Sequence, residues 1–253
     1  MKKAKIHRLT RKWHRYLGII LGIQFMAWTV GGLYFSWTKI EQIRGDDIRK
    51  ESPPLTLRKD LVPPTQITRE LQRNGSIEKF ESVQLIDILG KAYYQIVYKT
   101  DNKKYTKLAD AESGVLKAPL TKSEAVELAK SWLTKVAPVE SVQYLTDANG
   151  HHEYREKPLP AYAIRFGGVV NTTVYVASEQ GTVQSFRNNQ WRIFDFLWML
   201  HTMDYQNRDN MNNWLLRIFS VFGLVTIMSG FLLFFVSYRK KKDIQGSTKR
   251  MPV

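Results

Sequence analysis

Hydrophobic and polar positions divide this chain into three regimes. Residues 16–37, YLGIILGIQFMAWTVGGLYFSW, and residues 215–238, LLRIFSVFGLVTIMSGFLLFFVSY, are almost wholly apolar. The first run holds no charged residue, and the second only Arg217, close enough to its start to snorkel to an interface. Crossing roughly 30 Å of hydrocarbon takes about 20 mostly apolar residues, so each run predicts a transmembrane helix. A cleaved signal peptide has an apolar core of about 7–15 residues followed by small residues. The first run is longer and continues into SWTKIEQ, which favours a retained helix.

Between the runs the pattern changes to short alternating segments. The proline pairs Pro53-Pro54 and Pro63-Pro64 mark a linker over 38–63, because proline cannot continue a helix. TQITRELQRN then predicts a short helix. FESVQLIDI, AYYQIVYK and KYTKLADAESGVLK predict strands, rich in aromatic and β-branched residues. TKSEAVELAKSWLTKV predicts a second helix. Its Thr121 and Glu124 have the spacing of a capping box, and Ala125, Leu128, Ala129 and Trp132 share one face. Further strands follow in VESVQYLTD, AYAIRFG, TTVYVASE and GTVQSF.

This region repeats. YYQIVY beginning at Tyr93 aligns with AYAIRF beginning at Ala161, and LADAESGVL aligns with YVASEQGTV, which places Gly114 and Gly181 at equivalent turns. Each copy predicts a helix followed by a small antiparallel sheet, over 64–119 and 120–190. A unit of this size is marginal alone, so the copies are expected to pack together or against the membrane.

Composition adds topology. The formal net charge of the 253 residues is +15. Lys2, Lys3, Lys5, Arg8, Arg11, Lys12 and Arg15 contribute +7 in the tail 1–15. Arg239, Lys240, Lys241, Lys242, Lys249 and Arg250 against Asp243 contribute +5 in the tail 239–253, leaving only +3 between the tails. Basic clusters just outside two membrane helices follow the positive-inside rule, so both tails are expected in the cytoplasm and the central region across the membrane. In a bacterium that places the protein in the inner (cytoplasmic) membrane, with the central domain periplasmic or extracellular. The charge is therefore read as topology, with the lipid bilayer as partner and no nucleic acid. The chain has no cysteine, which removes disulfides, c-type haem attachment and thiolate metal sites. There is no P-loop, HExxH or G-x-S-x-G pattern.

A helix, strands and D-A-E-S-G-V-L in the final hairpin resemble a PepSY domain. Two such units between WHRYLGIILGIQFMAWTVGGLYF and LLRIFSVFGLVTIMSGFLLFF resemble the PepSY-associated transmembrane family. The resemblance covers about residues 8–240. It rests on His14 with Leu17 and Gly18, on Leu200-His201 in the aromatic segment 191–214, and on Ser229-Gly230. The fold it implies is membrane α+β: two transmembrane helices flanking a periplasmic region of two PepSY-like units. The resemblance extends to some larger members of the family that are haem-containing ferric-siderophore reductases with four membrane helices. This chain has two, so a complete electron path implies a homodimer or another membrane subunit.

The five histidines differ in promise. His7 sits in the basic tail. His151 and His152 are adjacent in a polar turn, where neighbouring side chains diverge and chelate poorly. His14 shares a helix face with Gly18, Gly22, Phe25, Thr29 and Gly32. That face suits close helix packing, with His14 a polar interfacial residue, and it equally suits the edge of a haem, for which histidine is a usual axial ligand. Phe194, Trp198, His201 and Tyr205 form one aromatic face that suits a helix on the outer membrane surface, with His201 an anchor or a ligand. About 22 residues of helix separate the levels of His14 and His201, roughly 30 Å, so one chain cannot bring both to a single iron. Two chains could pair His14 at the inner face and His201 at the outer face, and Ser220, Gly223, Ile227 and Gly230 give the second helix a face for close packing.

Two readings of function follow. In the first, a membrane redox component binds haem b through His14 and His201 and supports reductive iron acquisition by outward electron transfer, with a ferric siderophore or a periplasmic protein meeting the PepSY units. In the second, a non-enzymatic module binds or restrains a periplasmic protein such as a peptidase, or serves as an accessory subunit of a larger membrane complex.

Overall fold

The computed structural model describes residues 2–51, 60–75, 77–168 and 171–248. Pro53-Pro54 lies outside them, as do the side chains of His7 and of the C-terminal basic tail. The chain divides into two units, Met1–Trp37 with Phe194–Val253, and Thr38–Ile193.

The first unit contains the two long helices, α1 (Lys2–Trp37) and, at the other end of the chain, a second that also exceeds the span its apolar run requires, Trp214–Thr248. Within them Arg11–Trp37 and Trp214–Phe235 are long and apolar enough to cross a membrane. Only 11 % and 6 % of their most apolar windows are buried within the protein, unlike the core helix of a soluble domain. Ile19, Ile20, Ile23, Met26 and Val30 on one helix, and Val221, Leu224, Met228, Phe231 and Phe235 on the other, stand exposed as apolar belts. Lipid covers such a surface without cost, whereas water does not. The two helices pair along one face, where Leu21 is buried and a Cβ at Gly223 would lie 3.2 Å from the Phe25 ring.

The second unit follows the repeat read in the sequence. A short α2 (Ile40–Arg44) precedes α3 (Pro64–Asn74), then β1 (Lys79–Ile88), β2 (Lys91–Thr100), β3 (Lys103–Asp110) and β4 (Leu116–Lys117). α4 (Lys122–Ser131) then precedes β5 (Val139–Leu145), β6 (Ala161–Phe166), β7 (Thr172–Ala177) and β8 (Thr182–Arg187). Each set of four strands forms an antiparallel meander in sequence order. The run KYTKLADAESGVLK turns after Asp110, at the turn that the repeat placed by Gly114. The Asp110 carboxylate accepts the N–H groups of Glu112 and Ser113 and folds the chain into the β3–β4 turn. The Ser113 N–H, foremost among these bonds, holds the Asp110 carboxyl below its usual range.

α4 begins at the predicted capping box, with both Thr121–Glu124 bonds present. Its buried face of Ala125, Leu128 and Ala129 enters a core that draws on both repeats: Ile88 and Leu108 from the first sheet, and Ile164, Phe166, Val174 and Val176 from the second. The copies therefore pack together, as their size demands. α3 covers the opposite face of the first sheet through Ile67 and Leu71, against Tyr94, Ile96 and Ala109.

α5 (Asn189–Thr202) follows β8, and α6 (Trp214–Thr248) completes the chain.

The equivalent glycines make a stability test. Gly114 and Gly181 both have positive φ, +77° and +65°. A Cβ at Gly114 would meet Val62 at 3.5 Å, an ordinary contact, whereas one at Gly181 would come within 2.5 Å of Ile88 Cδ1. Gly114→Ala should cost about 1 kcal/mol of backbone strain. Gly181→Ala should cost about 1–3 kcal/mol more because the shared core must shift. Urea unfolding of the two variants checks the difference.

Acid offers a second test. Hydrogen bonds from Lys104 and then Lys99 hold the Glu81 carboxyl at about 2. A depressed carboxyl contributes stability above its unfolded pKa and loses it as pH falls through the folded value. Glu81→Gln should therefore flatten the dependence of stability on pH between about 4.5 and 2. The measure is the midpoint of urea unfolding across that range.

Candidate functional site

His14 faces α6. Its Nδ1 lies 2.7 Å from Ser229 Oγ. The Ser229 hydroxyl donates its only proton to Thr226 O, one turn back, at 2.7 Å. With that proton so committed, Ser229 Oγ accepts from His14, which puts the ring proton on Nδ1 and the lone pair on Nε2. Beside this contact, a Cβ at Gly230 would lie 3.5 Å from His14 Cε1, an ordinary contact. The Thr226 Oγ1 is buried nearby in sequence without a hydrogen-bond partner among the described residues.

The small residues of the two helices divide their roles. Gly223 and Gly230 of α6 face Phe25 and His14 of α1 within the same chain. Gly18, Gly22 and Gly32 of α1 do not meet α6, and a Cβ on any of them would have nothing within 4 Å. The glycine face next to His14 is thus open along the helix.

His201 lies elsewhere in the same unit. The aromatic segment forms α5, and from Phe194 onward it runs antiparallel alongside α1. Phe194 meets Phe35 with ring centroids 4.9 Å apart, a Cβ at Gly31 would touch Leu197, and Gln24 Nε2 donates to Leu200 O at 2.7 Å. The aromatic face finds more contact on α1 than a lone surface helix would offer. His201 stacks on Trp198 at 6.1 Å and 15°, and its ring also packs against Trp28 and Phe35. Tyr205, counted on the same face in the sequence, lies beyond the end of the helix. An apolar cavity of about 170 Å³ lies beside His201, lined also by Trp28, Met211 and Leu216. The Trp28 Nε1–H is buried without a partner among the described residues, and neither nitrogen of His201 hydrogen-bonds to a described residue. Trp28 is 14 positions from His14, so His201 sits about 20 Å along α1 from it.

With the pairing of α1 and α6, the His14–Ser229 contact and the duplicated central sheets in view, comparison with known proteins becomes informative. A profile described as "PepSY-associated TM region" matches residues 1–237. The chain belongs to this family. No curated protein and no solved structure matches the chain. Family membership and the two bare apolar helices identify a membrane protein. The structure joins two parts of the family resemblance that lie far apart in sequence, because His14 and Ser229-Gly230 touch.

A polar loop that the sequence reading passed over holds His201 in position. Residues 203–213 connect α5 to α6. Asp204, only 7 % exposed, accepts the N–H groups of Gln206, Asn207 and Asn210. Arg208 folds back onto Asp195 of α5, itself 3 % exposed, in a hydrogen-bonded ion pair. Asn213 ties the helices together: its Nδ2 donates to Thr202 O, and its Oδ1 accepts the Leu216 N–H as the N-cap of α6. QNRDNMNN reads as an ordinary hydrophilic connection in sequence. Its only cue was the acidic and basic residues flanking a histidine.

His151 and His152 are not brought together with His14 or His201. They lie in the second unit, in the turn between β5 and β6, where His152 Nδ1 accepts the Tyr154 N–H at 3.1 Å. Among the described residues no group of three or more His, Cys, Asp or Glu could hold a metal ion.

Asp204→Ala would leave three backbone donors of the connecting loop unpaired. It should destabilise the protein by about 1–3 kcal/mol and speed amide exchange over residues 206–210 by tenfold or more. Hydrogen-exchange mass spectrometry in detergent provides the measurement; unchanged protection there would remove Asp204 as the loop's organiser.

Proposed function

We propose that this protein is a membrane redox component that binds b-type haem through His14 and His201 and supports reductive iron acquisition, with a ferric siderophore as acceptor on the outer side. The observation that carries this reading is the held tautomer of His14. Ser229 takes the Nδ1–H, which orients the ring and leaves Nε2 with a lone pair that could hold the haem iron. Beside it the open face of Gly18 and Gly22 gives a flat ligand room against the helix.

The residues present fit one side of such a group at each level. His201 has both ring nitrogens uncommitted to described residues, a stacking platform in Trp198, and an unspent indole donor in Trp28. The cavity of about 170 Å³ beside it is smaller than the roughly 300–1,000 Å³ of sites that enclose a ligand. One chain supplies one imidazole at each level, so a second copy or another membrane subunit would supply a further imidazole. Bound haem would supply a one-electron iron couple. His14 and His201 would hold the two groups about 20 Å apart along α1, toward opposite ends of the span. In this reading both basic tails lie in the cytoplasm of a bacterial cell and the duplicated unit in the periplasm or outside, which the positive-inside rule supports.

The test is the absorption spectrum of detergent-purified protein from haem-replete cells, before and after dithionite. A Soret band and a sharp reduced α band are expected. His14→Ala and His201→Ala should each lose about half of the haem per chain, and the double variant nearly all of it. Ser229→Ala should keep the haem but weaken its retention about 10–100-fold, as loss of an orienting partner does. A colourless protein, unchanged in all variants, would replace this reading with that of a module binding a periplasmic protein.

A further inference from the structure

The second repeat contains a polar cavity that the redox reading does not use. α4 covers one face of the sheet β5–β8, through Ile164, Phe166, Val174 and Val176. The other face is partly covered by the β5–β6 connection. There Tyr154 is fully buried and stacks on Tyr175, with centroids 4.6 Å apart and planes at 13°. Next to this stack a cavity of about 310 Å³ remains. Two cross-strand rows form its floor, Ser141–Arg165–Thr173 and Gln143–Ala163–Tyr175. It stays open because Ser141 and Ala163, at the centre of that floor, are small.

Glu153 supplies the negative charge at the wall, and it is already compensated. Its oxygens accept Tyr175 Oη at 2.7 Å and Arg192 Nε and Nη2 at 2.8 and 3.1 Å. The remaining Arg192 donors are taken up by Asn171 O, Asn189 Oδ1, Thr173 Oγ1 and Arg187 O. This pair forms structural wall, and burial, reinforced by Glu153, raises the Tyr175 hydroxyl far above its ordinary value, so it stays a neutral donor.

Among the groups that face the cavity with capacity to spare, Arg165 and His152 are donors, while Gln143 and Ser141 can both donate and accept. Arg165 uses Nε on Asn171 Oδ1 at 2.9 Å, and its two terminal nitrogens hydrogen-bond to no described residue. Its contact with Glu140, at 3.2 Å, is half exposed on both sides and is screened by water. His152 accepts the Tyr154 N–H on Nδ1, which puts its ring proton on Nε2 as a donor. The side chains of Gln143 and Ser141 have no hydrogen-bond partner among the described residues.

We propose that this cavity binds a small carboxylate-bearing anion, gripped by the Arg165 guanidinium. A guanidinium presents paired N–H groups that match the two oxygens of a carboxylate. His152 and Gln143 supply the flanking donors. The volume lies at the small end of ligand sites, which sets the ligand at the size of an organic acid rather than a folded partner. This site lies wholly in the duplicated unit and does not depend on haem.

The experiment is calorimetric titration of citrate into the full-length protein in detergent, with glycerol as the uncharged probe. Saturable citrate binding is expected, with none for glycerol. Arg165→Gln should weaken it at least tenfold and Arg165→Lys less so. Ser141→Tyr, which fills the floor from an exposed strand position, should abolish it. Circular dichroism checks that each variant is folded. Absence of saturable citrate binding to the wild type, or equal affinity in folded Arg165→Gln and Ser141→Tyr, would overturn the proposal. The haem spectrum is read separately, so either idea can fail without the other.

Discussion

Hydrocarbon offers no hydrogen-bond partner, and that constraint organises the first unit. Each polar side chain within the apolar stretches must find its partner inside the protein or leave a costly unsatisfied group. Thr29 turns back onto Phe25 O and Ser220 onto Leu216 O, which satisfies them within their own helices. His14 cannot do this, and its partner is Ser229 on the facing helix. Gln24 likewise reaches Leu200 O of α5. These two bonds fix which residues of distant segments lie side by side, and Gly223 of α6 leaves room for the Phe25 ring, which a Cβ there would approach to 3.2 Å.

The constraint in the second unit is different. Each repeat is too small to bury an adequate core by itself. The structure meets this by sharing: α4 packs on its own sheet and also beneath Ile88 and Leu108 of the preceding one. Sharing explains why Gly181 is so intolerant of a side chain although it lies in a turn. Ile88 of the first repeat occupies the space next to it. It also explains the polar cavity. With α4 committed to one face of the second sheet, the other is left to a fifteen-residue connection that covers Tyr175 but stops short of the Ser141–Arg165 row.

The loop between α5 and α6 shows how polarity can serve order beside an apolar pair of helices. Asp204, Arg208, Asp195 and Asn213 all find partners, so the connection is a fixed platform. Removing one member of a buried ion pair such as Asp195–Arg208 costs several kcal/mol, typically about 3–5, because the other charge is stranded. The aromatic rings about His201 are thereby set between two anchored helix ends.

The sequence by itself determined the spans, the repeat, the capping box at Thr121 and the alternation of the strands. Those features are local in period, and apolar length or side-chain spacing suffices to read them. It also singled out His14 and His201 and separated them along the membrane helix, since helical rise is a fixed quantity. Tertiary structure decided what each histidine touches. The tautomer of His14 depends on Ser229, 215 positions away, and on where that serine spends its own proton. The course of α5 along α1, the sharing of one core between repeats, and the uncommitted donors around Ala163 likewise arise from contacts between distant segments. No periodicity in the chain encodes them, because whether a polar group or a small residue is satisfied depends on what the fold brings beside it.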